Sequence, residues 1–167
     1  MELSAVIVNF FKKQKFVVVS TINKSGYIHC SAKGIVGIEK DGKVYLIDAY
    51  RASTLENLKN NPKITLTSVD GQDFIGYSLK GTAKIVEREK IKEHIIAEWE
   101  QRIIKRISDR LIKNVQAQNP GLHHPEAMIP PPQYLIEVDV EAVIDLAPHN
   151  LKSSIILQTE NGNANSD

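Results

Sequence analysis

The chain has 167 residues, 42% of them apolar and 25% charged, a composition ordinary for a soluble globular protein and sufficient to bury a core. Twenty-one Lys and Arg stand against twenty Asp and Glu, so a net charge near +1 gives no general pull toward nucleic acid or acidic membranes. The single cysteine, Cys30, excludes an intrachain disulfide and a Cys-rich zinc centre. No apolar run approaches the roughly 18 residues of a membrane span, and no secretory leader pattern opens the chain. The expectation is a cytoplasmic protein with one domain over residues 1–157 and a polar, disordered tail over 158–167.

Leu3, Val6, Ile7, Phe10 and Phe11 recur with the period of a helix, so the first dozen residues predict a short amphipathic helix. "KFVVVSTI" predicts a buried strand rich in β-branched residues. A long second strand follows from about Tyr27 to Glu39. Gly34 and Gly37 interrupt it, which predicts a bulge, a bend or a close approach by another group. "KDGK" predicts a hairpin with a two-residue primed turn, leading into "VYLIDA" as the third strand. After "DAYRASTLENLKNNP" the fourth and fifth strands are "KITLTSV" and "FIGYSLKGTAKIVE".

From Arg88 to about Val115 the pattern is helical, with Ile91, His94, Ile95, Trp99, Ile103, Ile107 and Leu111 recurring mostly every four residues. That spacing drifts around a straight helix, so a break near "ISDR" is expected, with Ser108 or Asp109 capping a second helix. "NPGLHHPEAMIPPPQ" is a proline-rich connection, "YLIEVDVEAVIDL" a sixth strand, "APHNL" a turn and "SSIIL" a short strand. His123 and His124, even with His94 or Glu126, lack the spacing of a closed metal site and read as loop histidines. Trp99 reads as core or interface. Cys30 reads as a small buried hydrophobe.

The opening of the helix after Asp48 concentrates the candidate chemistry. Ser53 and Glu56 have the capping-box spacing, and Arg51 stands just ahead of them. The residues alone support two readings. The segment is a capped helix beside a solvated arginine, or it is an anion site in which helix N–H groups, the Ser53 and Thr54 hydroxyls and the Arg51 guanidinium converge.

The run "FVVVSTINKSGYIHCSAKGIVGIEKDGKVYLIDAYRASTLENLKNNPKITLTSVD", continuing to "GYSLKGTAKIV", resembles the FMN-binding split-barrel family, which includes pyridoxamine-phosphate-oxidase-like proteins and flavoredoxins. The resemblance implies a mainly β fold with flanking helices: a six-stranded antiparallel Greek-key split β-barrel. It also implies a homodimer with FMN at the interface, the phosphate meeting Arg51, Ser53 and Thr54, and Asn57 lying nearby. The flavin ring would lie against Ser31, Ala32, Lys33 and Gly34. Lys33 then has two readings, a charge beside the ring or a solvent-facing strand lysine. Tyr50 either stacks near the cofactor or closes its strand.

The pattern departs from some relatives in having Ser53 and Thr54 where a second cation is common. "APHNLKSS" has His149 but lacks the Arg–x–His element that grips the vitamin phosphate in true pyridoxamine-phosphate oxidases. The insert over 88–133 lies outside the core resemblance and is expected to cover the flavin or extend the interface. The expected function is an FMN oxidoreductase acting through flavin N5 on a small redox substrate, with no acid, base or nucleophile assigned. The alternatives are a flavin-binding electron carrier or sensor, and a barrel that binds deazaflavin or haem.

Overall fold

A computed structural model describes residues 1–116 and 128–148. His123, His124 and Glu126 lie outside the described residues, as do most of the proline-rich connection, the "SSIIL" strand and the tail.

In chain order the elements are α1 (Ala5–Lys13), β1 (Val17–Ile22), β2 (Ile28–Lys33), β3 (Ile35–Ile38), β4 (Lys43–Asp48), α2 (Ser53–Asn60), β5 (Lys63–Asp70), β6 (Ile75–Glu87), a 3-10 turn (Arg88–Lys90), α3 (Glu93–Gln116) and β7 (Tyr134–Asp145). The strands form one antiparallel sheet in the order β2-β1-β5-β6-β7-β4-β3. The expected second strand is therefore two strands, and the sheet has seven strands where six were expected. β2 and β3 are separated only by Gly34, yet they occupy opposite ends of the strand order. That single joint makes the sheet curl back on itself as a split β-barrel.

Alternation along the strands sorts side chains between two apolar clusters. Val17, Val19, Val44, Leu46, Leu66, Leu79, Ile136 and Val138 fill the interior, and Leu3 with Ile7, Val8 and Phe11 of α1 packs into the same cluster. Ser4 starts α1, its Oγ accepting the Ile7 N–H. Val6, expected on the apolar stripe, is exposed. On the other face, Val36, Ile47 and Leu135 pack against Ile91, just ahead of α3, and Ile95 in its first turn.

The second interruption of the predicted long strand is a bulge. The β3–β4 register shifts between Ile35 and Gly37, and a Cβ at Gly37 would stand 3.1 Å from the Tyr45 ring. The β3–β4 connection corrects the two-residue turn. Glu39 N–H donates to Lys43 O at 2.9 Å, and among the two turn residues only Gly42, with φ +92, is left-handed. A primed type I turn needs both central residues left-handed, so this is a three-residue loop closed at Gly42.

The expected break in the third helix is absent: α3 runs unbroken for 24 residues. Ser108 does not cap a second helix. Its Oγ donates to the carbonyl of Ile104 at 3.0 Å, inside the helix. The four-residue apolar spacing is resolved by exposure rather than by a break. Ile95 is buried, Trp99, Ile103 and Ile107 are half-buried, and Leu111 is exposed as the stripe winds off the barrel. No helix among the described residues is long and apolar enough to cross a membrane.

Candidate functional site: the β2 edge, the start of α2 and the cavity under α3

Helix α2 opens one residue earlier than a Ser53 cap requires. Ala52 is the cap residue, and its carbonyl accepts from Leu55 N–H at 3.0 Å and Glu56 N–H at 3.3 Å. Ser53 is thereby the first helical residue, so its hydroxyl has no first-turn N–H to cap. Glu56 faces Lys24 at 3.6 Å instead of reaching back. The capping box does not form, and no side chain caps the first turn. The unpaired N–H groups that every helix start carries are left for another acceptor.

Thr54 is buried on this turn, and its Oγ1 lies 3.1 Å from Ser31 Oγ on β2. That hydrogen bond joins the two halves of the expected site, which are 23 residues apart in sequence. One turn on, Asn57 is also buried and donates to Thr21 Oγ1 at 3.0 Å. Asn57 thus ties α2 to β1. Ser53 lies exposed in a shallow depression with His29, Lys24 and Asn57.

Arg51 is half-exposed and donates to Glu87 Oε2 at 2.7 Å and to the Gln133 carbonyl at 3.3 Å. Its guanidinium therefore spans the ends of β6 and β7, with a carboxylate as its present partner.

Lys33 does not face solvent. Its ammonium pairs with Asp48 Oδ2, with only 10% of the Lys33 side chain and 6% of the Asp48 side chain exposed. Asp48 also accepts from the Tyr134 hydroxyl at 2.7 Å and from the Tyr50 N–H at 3.0 Å. A buried carboxylate needs such a set of donors to remain in place. Burial, and then the bond to Asp48, hold the Tyr134 hydroxyl well above the usual phenol range, so it remains a donor.

Ala32, Lys33, Gly34 and Tyr50 line a cavity of about 310 Å³ whose far wall is α3. Trp99, Arg102, Ile103 and Arg106 form that wall, and Phe16 closes one side. Helix α3, within the insert, therefore covers the β2–β3 joint. Arg106 donates to the Lys15 carbonyl, and its guanidinium lies 3.4 Å from where a Cβ on Gly34 would be. Cys30 corrects another expectation. It is exposed, on the outer face of β2, with Sγ 3.4 Å from Ser20 Oγ.

The nine expected residues thus occupy neighbouring parts of one surface. Ala32, Lys33, Gly34 and Tyr50 border the cavity, Ser31 and Thr54 join β2 to α2, and Ser53 lies beside that joint. Asn57 sits behind it and Arg51 is held to one side. Asp48, Tyr134 and the arginines of α3 carry no motif and were not among the expected residues. The one sequence signal was an aspartate closing the apolar strand "VYLID", which a buried partner would explain. Among the described residues no group of three or more His, Cys, Asp or Glu is placed to hold a metal ion.

An antiparallel sheet closed through a one-residue joint, with a helix start facing its terminal strand, defines the split-barrel class of ligand-binding folds. The sequence model of pyridoxamine 5'-phosphate oxidase matches residues 3–147, and the chain belongs to that family. No protein of curated function matches it significantly. Among solved structures it is similar to a conserved hypothetical protein of Mycobacterium tuberculosis, with 19% identity and TM-score 0.60 over 91% of this chain and 89% of the other. It is also similar to an F420 reductase, with 14% identity and TM-score 0.52 over 81% and 94%. A third is the haem storage protein HutZ of Vibrio cholerae, with 16% identity and TM-score 0.51 over 86% and 94%. At these identities the likeness is one of fold.

Proposed function

We propose that this protein binds FMN noncovalently, between two copies of the chain, and works as an oxidoreductase on a small soluble redox partner. The observation that carries the reading is the Ser31–Thr54 bond, which sets the uncapped start of α2 against the terminal strand of the sheet. Family membership supports it. β2 pairs with β1 alone, so the peptide groups along its other edge are without ladder partners and suit a flat ring with carbonyl oxygens. The cavity volume falls in the small-molecule range, and the residues present fit a flavin.

In this reading Ser31, Ala32, Lys33 and Gly34 face the ring and Tyr50 flanks it. Arg51, Ser53, Thr54 and the first N–H groups of α2 hold the phosphate, with Arg51 released from Glu87 to do so. Asn57 fixes the helix that presents them. Bound FMN would supply N5 as the centre for hydride or electron transfer, while the chain positions it and α3 limits water on one side. The outer face of β1 and β2 exposes Val18, Ile22, Ile28 and Ala32 together, an apolar surface suited to a second copy.

A second reading keeps the barrel and changes the cofactor to deazaflavin or haem, and the F420 reductase and HutZ likenesses favour it. The absorption spectrum of freshly purified protein, and of protein titrated with each cofactor, decides between them. A flavin band with stoichiometric FMN uptake is the expected result. A Soret band or a deazaflavin spectrum replaces FMN, and refusal of all three overturns the site. A flavin-loaded protein that turns over no nicotinamide cofactor or small oxidant is a carrier rather than an enzyme.

A further inference from the structure

Lys33 and Asp48 form a buried ion pair between strands that share no backbone ladder. Lys33 ends β2 and Asp48 ends β4, and the order β2-β1-β5-β6-β7-β4-β3 keeps the two strands apart. Withdrawing both charges from water is costly, and their attraction offsets the cost only where further hydrogen bonds complete the pair. Asp48 has that completion. Its Oδ2 also accepts from the Tyr134 hydroxyl at 2.7 Å, its Oδ1 from the Tyr50 N–H at 3.0 Å, and its carbonyl from the Gln133 N–H at 2.9 Å. Among the described residues the Lys33 ammonium hydrogen-bonds to Asp48 alone.

The pair stands in the wall of the cavity beside Gly34. Of the described residues lining that cavity, Lys33, Arg102 and Arg106 are cationic and Asp48 alone is acidic. The two arginines also line a cleft on the outside of α3, where Arg102 is bound to Glu98 at 3.1 Å and Arg106 donates to the Lys15 carbonyl. Neither arginine is fully buried, so water screens their charge. Lys33 and Asp48 are screened least, and they dominate the field inside the cavity. A staple between β2 and β4 is served as well by an apolar contact, which carries no cost of burying charge.

We infer that Asp48, held by the Tyr134 hydroxyl, offsets the charge of Lys33 at the cavity wall and so sets the reduction potential of a flavin ring bound there. The inference rests on the FMN reading and makes Asp48 and Tyr134 positioning residues of that site. A ring that gains electron density on reduction is favoured by a cation beside it and disfavoured by a carboxylate. With the pair intact the two effects oppose each other, and their balance depends on where Tyr134 holds Asp48. Net charge at the wall therefore fixes the ratio of affinities for reduced and oxidised FMN. A tenfold change in that ratio is about 30 mV for a two-electron couple.

Equilibration of the full-length, FMN-loaded protein with a reference dye of known potential tests the inference, with the melting temperature of flavin-free protein reporting the structural part separately. Asp48→Asn leaves Lys33 uncompensated and should favour reduced FMN at least tenfold over the parent. Lys33→Met leaves the carboxylate and should disfavour reduced FMN by a similar factor. The double variant Lys33→Met, Asp48→Asn should return to within threefold of the parent. Tyr134→Phe keeps both charges but removes a donor from Asp48, so it should disfavour reduced FMN two- to fivefold. This variant and Lys33→Met decide the matter where Asp48→Asn is too unstable to load. A pair that only staples the strands predicts equal losses of affinity for both forms of FMN and an unmoved potential. That result, or shifts of like sign in Asp48→Asn and Lys33→Met, overturns the inference and leaves the FMN reading intact. Parent protein that refuses FMN overturns the cofactor reading and this inference with it.

Discussion

Tyr134 of β7 and Asp48 of β4 are direct register partners, and the tyrosine hydroxyl donates to the aspartate carboxylate at 2.7 Å with both residues buried. The same carboxylate neutralises Lys33, so a ladder pair where β4 ends and β7 begins anchors the cation at the cavity wall. Replacing one partner of a buried pair strands the other charge. Asp48→Asn is expected to cost about 3 kcal/mol or more of folding stability. Tyr134→Phe removes one hydrogen bond to a charged group and should cost about 1.5–3 kcal/mol. Urea unfolding of the two variants checks the order, and a smaller loss for Asp48→Asn would show that Lys33 finds another partner.

The alkaline limb of stability carries a second expectation. Tyr134 has its pKa raised by burial and by the Asp48 bond from an ordinary value near 10, so the folded state holds this proton more tightly than the unfolded state. Its contribution is complete below about pH 10 and is lost as pH rises above that value. Burial raises Tyr45 and Tyr77 in the same direction. Stability of the parent should therefore fall with pH above 10, and Tyr134→Phe should fall less steeply. Melting temperatures and phenolate absorbance over that range give the comparison.

Arg51 has a carboxylate where the proposed site requires a phosphate. Arg51→Ala should barely change stability, because exposed ion pairs are worth about 0–1 kcal/mol, yet should weaken FMN binding by about 1.5–3 kcal/mol. Glu87→Gln, which removes the competing carboxylate, should leave FMN affinity equal or higher. Fluorescence titration with FMN measures both, and unchanged affinity in Arg51→Ala moves the phosphate to other residues.

Ile28 is 72% exposed and lies directly opposite Ile22, itself 40% exposed, on the outer face of β1 and β2. An aspartate there would be desolvated by any partner seated on that face. Ile28→Asp should raise the dimer dissociation constant by about tenfold or more, equivalent to about 1.4 kcal/mol. Light scattering across a dilution series reads it, and a parent protein that is monomeric throughout contradicts the proposed pairing.

Local pattern was enough for most of the barrel. Alternation and β-branched content located β1, β4, β5, β6 and β7 to within a few residues, because those features report burial on one face directly. Gly34 was readable as an interruption. Its role in separating two strands at opposite ends of the sheet was not, since that depends on pairings made by distant segments. A break in α3 was expected because the apolar stripe drifts around a straight helix, whereas the barrel buries Ile95 near its start and leaves Leu111 exposed as the stripe winds away. Ser53 was misplaced by one residue, a shift that only the Ala52 carbonyl bonds reveal. The Lys33–Asp48–Tyr134 cluster joins residues 15 and 86 positions apart, beyond the reach of any local motif.

Strand order also governs when this chain can fold during its synthesis. β7, the last made of the described strands, lies between β6 and β4. A nascent chain extended only to Gln116 holds β2, β1, β5 and β6 as one partial sheet and the β3–β4 hairpin as another, with no strand to bridge them. The ribosome must deliver residue 145 before the two parts can join. Until then Val44, Leu46, Leu66 and Leu79 lack the apolar partners that β7 brings, so the partial sheets leave core surface uncovered.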